Sequence, residues 1–264
     1  MDYPTTDYRL PDYLSTPWFI CLKPVPQAKL RLYCFPYAGG GVPVFRGWPD
    51  GLAAGVEVWA AHLPGRGSRS REVPMTQMLP LVQALARHLP LDGADRPFAF
   101  FGHSLGARVG FELARSLRRQ GRPLPAHLFV SACAAPQLPL GRPLHMLPKD
   151  ALLAELQRRN GISPAILAQP ELLDLLLPLL RADLKLVETA VYHSEPSLDC
   201  AITAFGGIED PIVSREALQG WGGQTSGPFE MLFFTGDHFF LRTAEGQLLQ
   251  AIDAVVARNM EGSG

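Results

Sequence analysis

The stretch that decides the fold is P-F-A-F-F-G-H-S-L-G-A-R-V-G-F-E-L, residues 97–113. Its first part, Pro97–Gly102, is a short apolar run of the kind that forms a buried strand. The pattern then changes to apolar residues four positions apart, at Leu105, Val109, Leu113 and Leu117. This spacing predicts a helix with one apolar face, and Gly121 is expected to end it. The stretch therefore predicts a strand, a tight turn and a helix that covers the strand.

The same alternation recurs along the chain. Strand-like apolar runs occur at Arg31–Phe35, Val56–Ala61, Pro97–Gly102, His127–Cys133, Cys200–Gly206 and Phe229–Thr235. Two more covering helices are predicted over Leu79–Leu89 and Gln247–Arg258. Buried strands separated by helices are typical of a parallel sheet with both faces covered. The predicted fold class is therefore α/β, with a mostly parallel central sheet flanked by helices.

Residues 138–198 depart from this alternation. They contain three helix patterns, at Lys149–Arg159, Glu171–Arg181 and Asp183–His193, and no convincing strand. We therefore predict an inserted helical lid over 138–198, within a single domain of residues 1–264 that begins with an N-terminal arm of residues 1–18. Pro178 is expected to kink the Leu-rich part of the lid or to end a turn there. That part is apolar nearly all round, so it needs apolar neighbours on several sides.

Composition limits the classes of function that the chain can have. Of the 264 residues, 47% are hydrophobic, which is enough for a substantial core. The 24 basic and 25 acidic residues give a net charge of −1, which argues against nucleic-acid binding. The longest uncharged stretch, between Arg122 and Arg142, contains four prolines, so we expect no membrane span. The N-terminus lacks a secretory signal pattern, which predicts a cytoplasmic protein. A monomer is the default expectation for the oligomeric state.

The four cysteines offer no metal-binding or redox motif. Cys21, Cys34, Cys133 and Cys200 each lie in or beside an apolar run, and no two of them form a C-x-x-C pair. This distribution argues against a zinc site. We expect four buried, reduced thiols and no metal.

The pentad G-H-S-L-G, residues 102–106, has the form G-x-S-x-G. It lies between the predicted strand and the predicted helix, the context in which such a pentad forms a nucleophile elbow. The glycines permit a tight turn in which a Cβ atom would clash. The turn lifts the serine hydroxyl above the sheet, at the N-terminus of a helix. Ser104 is therefore the candidate nucleophile.

A serine hydroxyl needs a base to take its proton and a carboxylate to orient that base. In folds that use this elbow, the carboxylate and then the histidine follow the serine, each on a loop after a strand. Asp210 follows the predicted strand Cys200–Gly206, and His238 follows Phe229–Thr235. We therefore assign these two roles to Asp210 and His238. The alternative carboxylates are Glu209, Asp183 and Asp199.

Two backbone N–H groups should stabilise the oxyanion that develops when the serine attacks. One is expected from Leu105, the residue after the nucleophile. The other is expected from Ala38 in the loop F-P-Y-A-G-G-G, residues 35–41, which carries neither of the common nucleotide-binding signatures. Three neighbours of these donors are expected to contact substrate: Tyr37, Gly39 and His103.

Five motifs give the chain a resemblance to the type II thioesterases, stand-alone α/β-hydrolases that serve polyketide synthases and non-ribosomal peptide synthetases. The motifs are F-P-Y-A-G-G (35–40), L-P-G-R-G-S-R (63–69), G-H-S-L-G (102–106), L-R-A-D (180–183) and G-D-H-F-F (236–240). Their order and spacing extend the resemblance over about residues 19–255. The chain departs from the family pattern at Tyr37, where many members have His.

The resemblance implies an α/β-hydrolase fold and cleavage of acyl groups from the phosphopantetheine arm of an acyl or peptidyl carrier protein. It implies a Ser-His-Asp triad, an acyl-enzyme intermediate and a lid over an acyl chamber. No metal or cofactor is implied, because the pantetheine arm arrives with the substrate. A general carboxylesterase, an acyltransferase and a degenerate hydrolase that only binds are the alternatives. Two arginine groups are candidate docking surfaces for an acidic carrier protein: Arg108, Arg115, Arg118, Arg119 and Arg122, and Arg66, Arg69 and Arg71.

Overall fold

The computed structural model describes residues 15–91, 96–139 and 141–261. Its strands are β1 (Ser15–Thr16), β2 (Phe19–Cys21), β3 (Leu30–Phe35), β4 (Val56–Ala61), β5 (Phe98–His103), β6 (His127–Ser131), β7 (Ala201–Gly207) and β8 (Phe229–Phe234). They form one sheet in the order β1-β2-β4-β3-β5-β6-β7-β8. All pairs from β4 to β8 are parallel, whereas β1 and β2 are antiparallel to their neighbours. The predicted mostly parallel sheet is confirmed.

The two antiparallel strands at the edge were not predicted. Thr16 of β1 faces Phe19 of β2, and Phe19 in turn faces Ala61 of β4. Strands of two and three residues are too short to show a period in the sequence. Ser15 and Thr16 belong to the predicted N-terminal arm, and they join the sheet by pairing with β2. The rest of that arm, residues 1–14, lies outside the described residues.

The helices cover both faces of the sheet and its carboxyl edge. They are α1 (Trp48–Gly51), α2 (Met78–His88), α3 (Leu105–Arg119), α4 (Lys149–Arg158), α5 (Pro164–Leu167), α6 (Pro170–Glu188), α7 (Arg215–Gln219), α8 (Phe240–Thr243) and α9 (Glu245–Glu261). Short 3-10 segments occur at Val42–Phe45, Gly67–Arg69 and Gly220–Gln224. In the part of the chain that the structure describes, no helix has the length and apolar content needed to cross a membrane.

Two apolar layers hold the sheet between its helices. Tyr33 and Phe35 of β3 join the layer that contains α2 and α3, whereas Leu32 and Cys34 join the layer that contains α1 and α9. This alternation follows from the period of two along a strand. The predicted stripe of α3 is buried at every position, as Leu105, Val109, Leu113 and Leu117 show. The helix ends at Arg119, and Gly121 then adopts a left-handed φ of 62°.

The lid region lies between β6 and β7 and contains α4, α5 and α6. Its buried leucines form a third cluster, separate from the two sheet layers. The prediction of two helices, Glu171–Arg181 and Asp183–His193, is wrong, because one helix, α6, spans this part and ends at Glu188. Pro178 lies inside α6. Buried leucines on both sides of Pro178 hold the helix together across the one backbone hydrogen bond that proline removes.

The four cysteines are buried and free, as expected from their apolar surroundings. Burial is the main cause that raises the pKa of the Cys21 and Cys200 thiols to about 12. These thiols are therefore protonated at neutral pH and pack as small apolar groups.

Candidate active site

Ser104 lies on the turn between β5 and α3. Its backbone angles, φ 52° and ψ −113°, are strained for a residue with a side chain. The flanking glycines allow this turn to pack. A Cβ atom on Gly106 would lie 2.0 Å from the carbonyl oxygen of Phe35, and one on Gly102 would lie 2.3 Å from the carbonyl carbon of Gly106. Only glycine at both positions lets the backbone segments approach this closely.

Three side chains from three loops meet at this turn. The Nε2 atom of His238 lies 3.1 Å from Oγ of Ser104, and its Nδ1 atom lies 2.9 Å from Oδ2 of Asp210. An ionised carboxylate only accepts hydrogen bonds, so Nδ1 carries the proton and Nε2 is left to accept from the serine hydroxyl. The structure therefore brings together the three residues that the sequence assigned to nucleophile, base and orienting acid.

Asp210 is held in place by the backbone that follows it. Its Oδ1 atom accepts hydrogen bonds from the N–H groups of Ile212, at 2.7 Å, and Val213, at 3.1 Å. Its side chain is only 1% exposed. With Oδ1 occupied in this way, Oδ2 is the oxygen that faces His238.

The alternative carboxylates lie elsewhere. Glu209 and Asp199 are exposed to solvent. Asp183 is buried and pairs with Arg66. None of these three is hydrogen-bonded to the imidazole of His238 among the described contacts, whereas Asp210 is.

His103 has no exposed surface, although it precedes the nucleophile by one residue. Its Nε2 atom lies 2.8 Å from the carbonyl oxygen of His238, and its Nδ1 atom lies 2.8 Å from Oγ of Ser131. Because a carbonyl oxygen only accepts, Nε2 donates to it and Nδ1 accepts from Ser131. Burial lowers the pKa of His103 well below its usual value, which keeps the ring neutral. His103 thus contacts the backbone of His238, and its expected contact with substrate stays a prediction.

The two expected oxyanion donors lie beside the nucleophile. Ala38 and Leu105 both line the cavity that contains Ser104. The N–H of Leu105 belongs to the first turn of α3, where backbone donors have no acceptor within the helix. The positive end of the helix dipole also lies at this point. The surroundings of Ser104 therefore favour negative charge.

A buried ion pair connects the loop of residues 35–41, the oxyanion loop, to the lid. Asp183 of α6 accepts from the N–H of Gly39 at 2.7 Å, and its two oxygens accept from Arg66 at 2.7 and 3.0 Å. The same guanidinium donates to the carbonyl oxygen of Gly40 at 2.9 Å. The side chains of Arg66 and Asp183 are 7% and 2% exposed. The residue next to Ala38 is thus held by a carboxylate from the lid.

Sequence reasoning missed this ion pair, although both partners lie in motifs that it singled out. Arg66 belongs to L-P-G-R-G-S-R and Asp183 to L-R-A-D. Asp183 was considered only as an alternative acid for the triad. The signal that could have indicated the pair is a charged residue inside an apolar or glycine-rich motif. Such a residue is rarely buried unless it has a partner of opposite charge.

Tyr37 and Gly39 take part in packing around the loop. Gly39 has a φ of 76°, and a Cβ atom there would lie 2.6 Å from Leu180 of the lid. The Tyr37 ring packs edge-on against Phe239, and its hydroxyl accepts a hydrogen bond from Arg242 at 2.9 Å. Among the described residues that line the cavity, neither Tyr37 nor Gly39 is present. The structure therefore gives no support to their expected contact with substrate.

A cavity of about 310 Å³ lies between the elbow and the lid. Its floor is formed by Ser104, Leu105 and His238, and its walls include Leu144, Leu184 and Val187 from the lid. Charged groups also line it, at Arg108, Arg142, Arg159, Asp183 and Glu188. Within the described ranges, no group of three or more His, Cys, Asp and Glu side chains is arranged to hold a metal ion.

The two arginine groups are mostly paired within the protein. Glu195 binds Arg115, Arg118 and Arg119 at 2.7 to 2.8 Å. In the second group, Arg66 is buried against Asp183, and Arg69 pairs with Glu72 at 2.6 Å. Most of these cations therefore already have partners within the protein, and Arg71 is the exposed member of the second group.

The elbow, the order serine, carboxylate, histidine along the chain, and the mostly parallel sheet define the α/β-hydrolase class. Within that class, the family model described as a thioesterase domain matches residues 30–256. The chain belongs to this thioesterase family and is an enzyme that hydrolyses thioesters.

Individual relatives match over nearly the whole chain. The gramicidin S biosynthesis protein GrsT of Aneurinibacillus migulanus is 40% identical over 235 residues, which cover 88% of this chain and 91% of that protein. The thioesterase PikA5 of Streptomyces venezuelae is 37% identical over 230 residues, 85% of this chain and 80% of that protein. The identity exceeds a third in both relatives.

Solved structures agree with these matches. The RedJ thioesterase from the prodiginine pathway of Streptomyces coelicolor has a TM-score of 0.81 and 42% identity, covering 86% of each chain. The type II thioesterase BorB of the borrelidin cluster has a TM-score of 0.81 and 34% identity, covering 93% of this chain and 98% of its own. The resemblance to type II thioesterases of polyketide and non-ribosomal peptide biosynthesis is confirmed.

Proposed function

We propose that this enzyme hydrolyses acyl thioesters presented on the phosphopantetheine arm of an acyl or peptidyl carrier protein, with Ser104 as the nucleophile. The observation that carries the proposal is the chain of hydrogen bonds from Ser104 through His238 to Asp210 at the floor of the cavity. Membership of the thioesterase family indicates that the bond cleaved is a thioester. The biosynthetic relatives, named for gramicidin S, borrelidin and prodiginine pathways, support a carrier-bound substrate.

The first step forms an acyl-enzyme. The Oγ atom of Ser104 attacks the thioester carbonyl carbon, and His238 Nε2 takes the hydroxyl proton. The imidazolium that results is stabilised by Asp210, which keeps its own negative charge. The carbon–sulfur bond then breaks, and the pantetheine sulfur leaves as a thiol with the proton from His238.

The backbone N–H groups of Ala38 and Leu105 stabilise the negative charge on the carbonyl oxygen during this step. Loss of one such donor lowers the rate by about 10² to 10³ in enzymes of this type. The contact of Asp183 with the N–H of Gly39 supports this role, because it holds the loop beside Ala38. Gly39, Arg66 and Asp183 are in this view positioning residues.

The second step releases the acid. His238 takes a proton from water, the oxygen of the water attacks the ester carbon, and the ester bond to Ser104 breaks with return of the proton to Oγ. The products are a free carboxylic acid and the regenerated hydroxyl. The steps use only this chain, its substrate and water, so we propose that no metal or bound cofactor takes part.

The proposal is tested by presenting one acyl group in three forms. Butyryl is loaded on a phosphopantetheinylated carrier protein, attached to free pantetheine, and supplied as an oxygen ester. We expect the highest kcat/KM with the carrier protein and the lowest with the oxygen ester. Ser104→Ala should lower the rate on all three by at least about 10³-fold. The exposed Ser197→Ala is the matched control and should keep the rate.

Each outcome separates the proposal from its alternatives. Equal or faster cleavage of the oxygen ester would identify a general carboxylesterase. Transfer of the butyryl group to an added alcohol or amine in preference to water would identify an acyltransferase. Hydrolysis that survives in Ser104→Ala would rule out the triad itself.

A further inference from the structure

Arg108 lies one helical turn after Ser104 on α3 and lines the same cavity. Its side chain is 3% exposed, and its Nε and Nη1 atoms are buried without a hydrogen-bond partner among the described residues. A buried charge is costly unless it is paired and hydrogen-bonded. Other buried arginines obey this rule, since Arg66 pairs with Asp183 and Arg115 with Glu195. Arg108 therefore stands out as a charged group without a charged partner in the part of the chain that the structure describes.

The carboxylates that share the cavity are already occupied. Asp183 holds Arg66. Glu188 accepts from the backbone N–H groups of Leu144 and His145 at 2.8 and 3.0 Å, and from the His145 ring at 2.5 Å. The acidic groups of the wall therefore face other partners.

Three further features leave the charge of Arg108 uncompensated. Burial raises the pKa of the neighbouring Cys133 thiol to about 11, so this thiol carries no negative charge at neutral pH. Arg108 also lies near the N-terminus of α3, where the helix dipole adds positive rather than negative potential. Arg142 on the cavity wall is a cation as well, whereas Arg159 is paired with Glu155 at 2.6 Å. The cavity thus offers unused hydrogen-bond donors in a positive field, close to the nucleophile.

We propose that Arg108 binds the acyl chain of the substrate through an oxygen acceptor near the thioester, either a ketone or amide carbonyl or a carboxylate. The inference rests on the proposed function, in which the acyl group is bound to Ser104. Four residues of an α-helix rise by about 6 Å, and helical side chains lean toward the N-terminus. The guanidinium therefore reaches substituents within a few carbons of the reacting carbonyl. Arg108 selects oxygen-bearing acyl groups over plain alkyl chains.

The test uses three pantetheine thioesters of nearly equal size: butyryl, 3-oxobutyryl and malonyl. The measured quantity is the ratio of kcat/KM for each oxygen-bearing acyl group to kcat/KM for butyryl. We expect the wild-type enzyme to favour at least one oxygen-bearing group, and Arg108→Leu to lower that ratio by about 10- to 100-fold, the effect of one charge-assisted hydrogen bond. Both rates come from one preparation, so the ratio does not depend on the fraction of folded enzyme.

Two variants serve as controls. Arg108→Lys keeps the positive charge with a different geometry, and it should retain part of a preference for malonyl. Arg118→Leu removes an arginine from the same helix that pairs with Glu195 outside the cavity. This variant should keep the wild-type ratio.

The outcomes are distinct. If wild type prefers malonyl and Arg108→Leu abolishes that preference, the group bound by Arg108 is a carboxylate. If the preference that is abolished is for 3-oxobutyryl, the group is a neutral carbonyl. The inference is overturned if wild type favours butyryl, or if Arg108→Leu keeps the wild-type ratio. If Ser104-dependent hydrolysis proceeds normally in that case, only this inference fails. An absence of hydrolysis on all three thioesters, together with an absence of hydrolysis of butyryl-loaded carrier protein, would instead overturn the proposed function, and this inference with it.

Discussion

The sheet side and the lid side of the active site are held by different forces. On the sheet side, backbone packs on backbone: Gly106 of α3 lies so close to Phe35 of β3 that no side chain fits between them. On the lid side, α6 reaches the site through polar side chains, with Asp183 on the oxyanion loop and Glu188 on the segment before α4. Ser104 is thus placed by the sheet, and the wall of the cavity is placed by a few buried contacts of the lid.

The core of each side shows the same contrast. The central strands β3, β4, β5 and β6 are buried along their whole length. The lid has a small leucine cluster of its own, and α6 leaves Leu175 76% exposed. Local stability follows the amount of buried apolar contact. Ser104, Asp210 and His238 therefore lie on the side with the larger buried core, and the lid is expected to be the locally less stable side.

Gly106→Ala should have the largest effect, because it attacks the backbone contact of the sheet side. The added Cβ atom would lie 2.0 Å from a carbonyl oxygen, so α3 or β3 must move. We expect a loss of at least roughly 4 kcal/mol in the free energy of unfolding, or no folded enzyme. Chemical denaturation measures the change. Gly246→Ala in α9, where nothing lies within 4 Å of the new atom, should leave stability unchanged or slightly higher.

Asp183→Asn tests the junction between the two sides. It leaves the Arg66 guanidinium buried without its counter-charge, which costs about 3 to 5 kcal/mol of stability. We also expect kcat to fall by roughly 10-fold or more, because Gly39 loses the carboxylate that positions the oxyanion loop.

The matched control for the junction is Asp174→Asn on the same helix. Asp174 pairs with Lys149, but its side chain is 67% exposed. This variant should change stability by less than about 1 kcal/mol and leave kcat unchanged. A similar kcat in the Asp183 and Asp174 variants would show that the lid does not position the loop.

The third prediction compares two leucines of α6. Leu177 is 6% exposed and belongs to the lid cluster. Leu177→Ala should therefore lower the free energy of unfolding by about 2 to 4 kcal/mol. Leu175→Ala should change stability by less than about 0.5 kcal/mol, because that side chain is already in water. Hydrogen exchange of α6 amides, followed beside those of β5, would locate the loss. If Leu177→Ala lowered the exchange protection of β5 as much as that of α6, the claim that the lid is stabilised separately from the sheet would be wrong.

The smallest predicted effect is the loss of stability of the sheet side when the pH is lowered. Burial of His127 in β6 lowers its pKa to about 4, whereas the unfolded chain has the ordinary value near 6.5. As the pH falls below 6.5, the unfolded state takes up the proton first, so the contribution to stability falls. Between pH 7 and pH 5.5 the loss is about 1.2 kcal/mol.

Removal of this imidazole tests the pH effect. His127→Gln should reduce the fall in the free energy of unfolding between pH 7 and pH 5.5 by that amount. His193→Gln, at an exposed position on the lid side, should keep the wild-type pH dependence. The buried His103 acts in the same direction as His127, so part of the fall should persist in His127→Gln. An unchanged pH dependence in His127→Gln would contradict the sheet-side origin of the effect.

Several elements could be predicted because their signals are local. The strand Pro97–Gly102, the pentad and the stripe of α3 lie within one short stretch, and the structure has β5, the elbow and α3 there. Asp210 and His238 follow strands in the expected order, and parallel strands bring their carboxyl ends to one edge. The extent of α6 could not be predicted, because the leucines that carry the helix past Pro178 are held by α4.

The α/β class, the elbow at Ser104 and the order of its two partners can be read from the sequence, since period, glycines and chain order are properties of the chain. The contacts of the remaining polar residues follow from the folded arrangement. Arg66 and Asp183 are 117 residues apart and pair because the lid returns to the oxyanion loop. Arg108 looks like any arginine on a helix in the sequence. Its Nε and Nη1 atoms lack a partner among the described residues only because the folded chain buries them beside an occupied set of carboxylates. Burial and charge pairing depend on what surrounds a residue, and that is set by the whole fold.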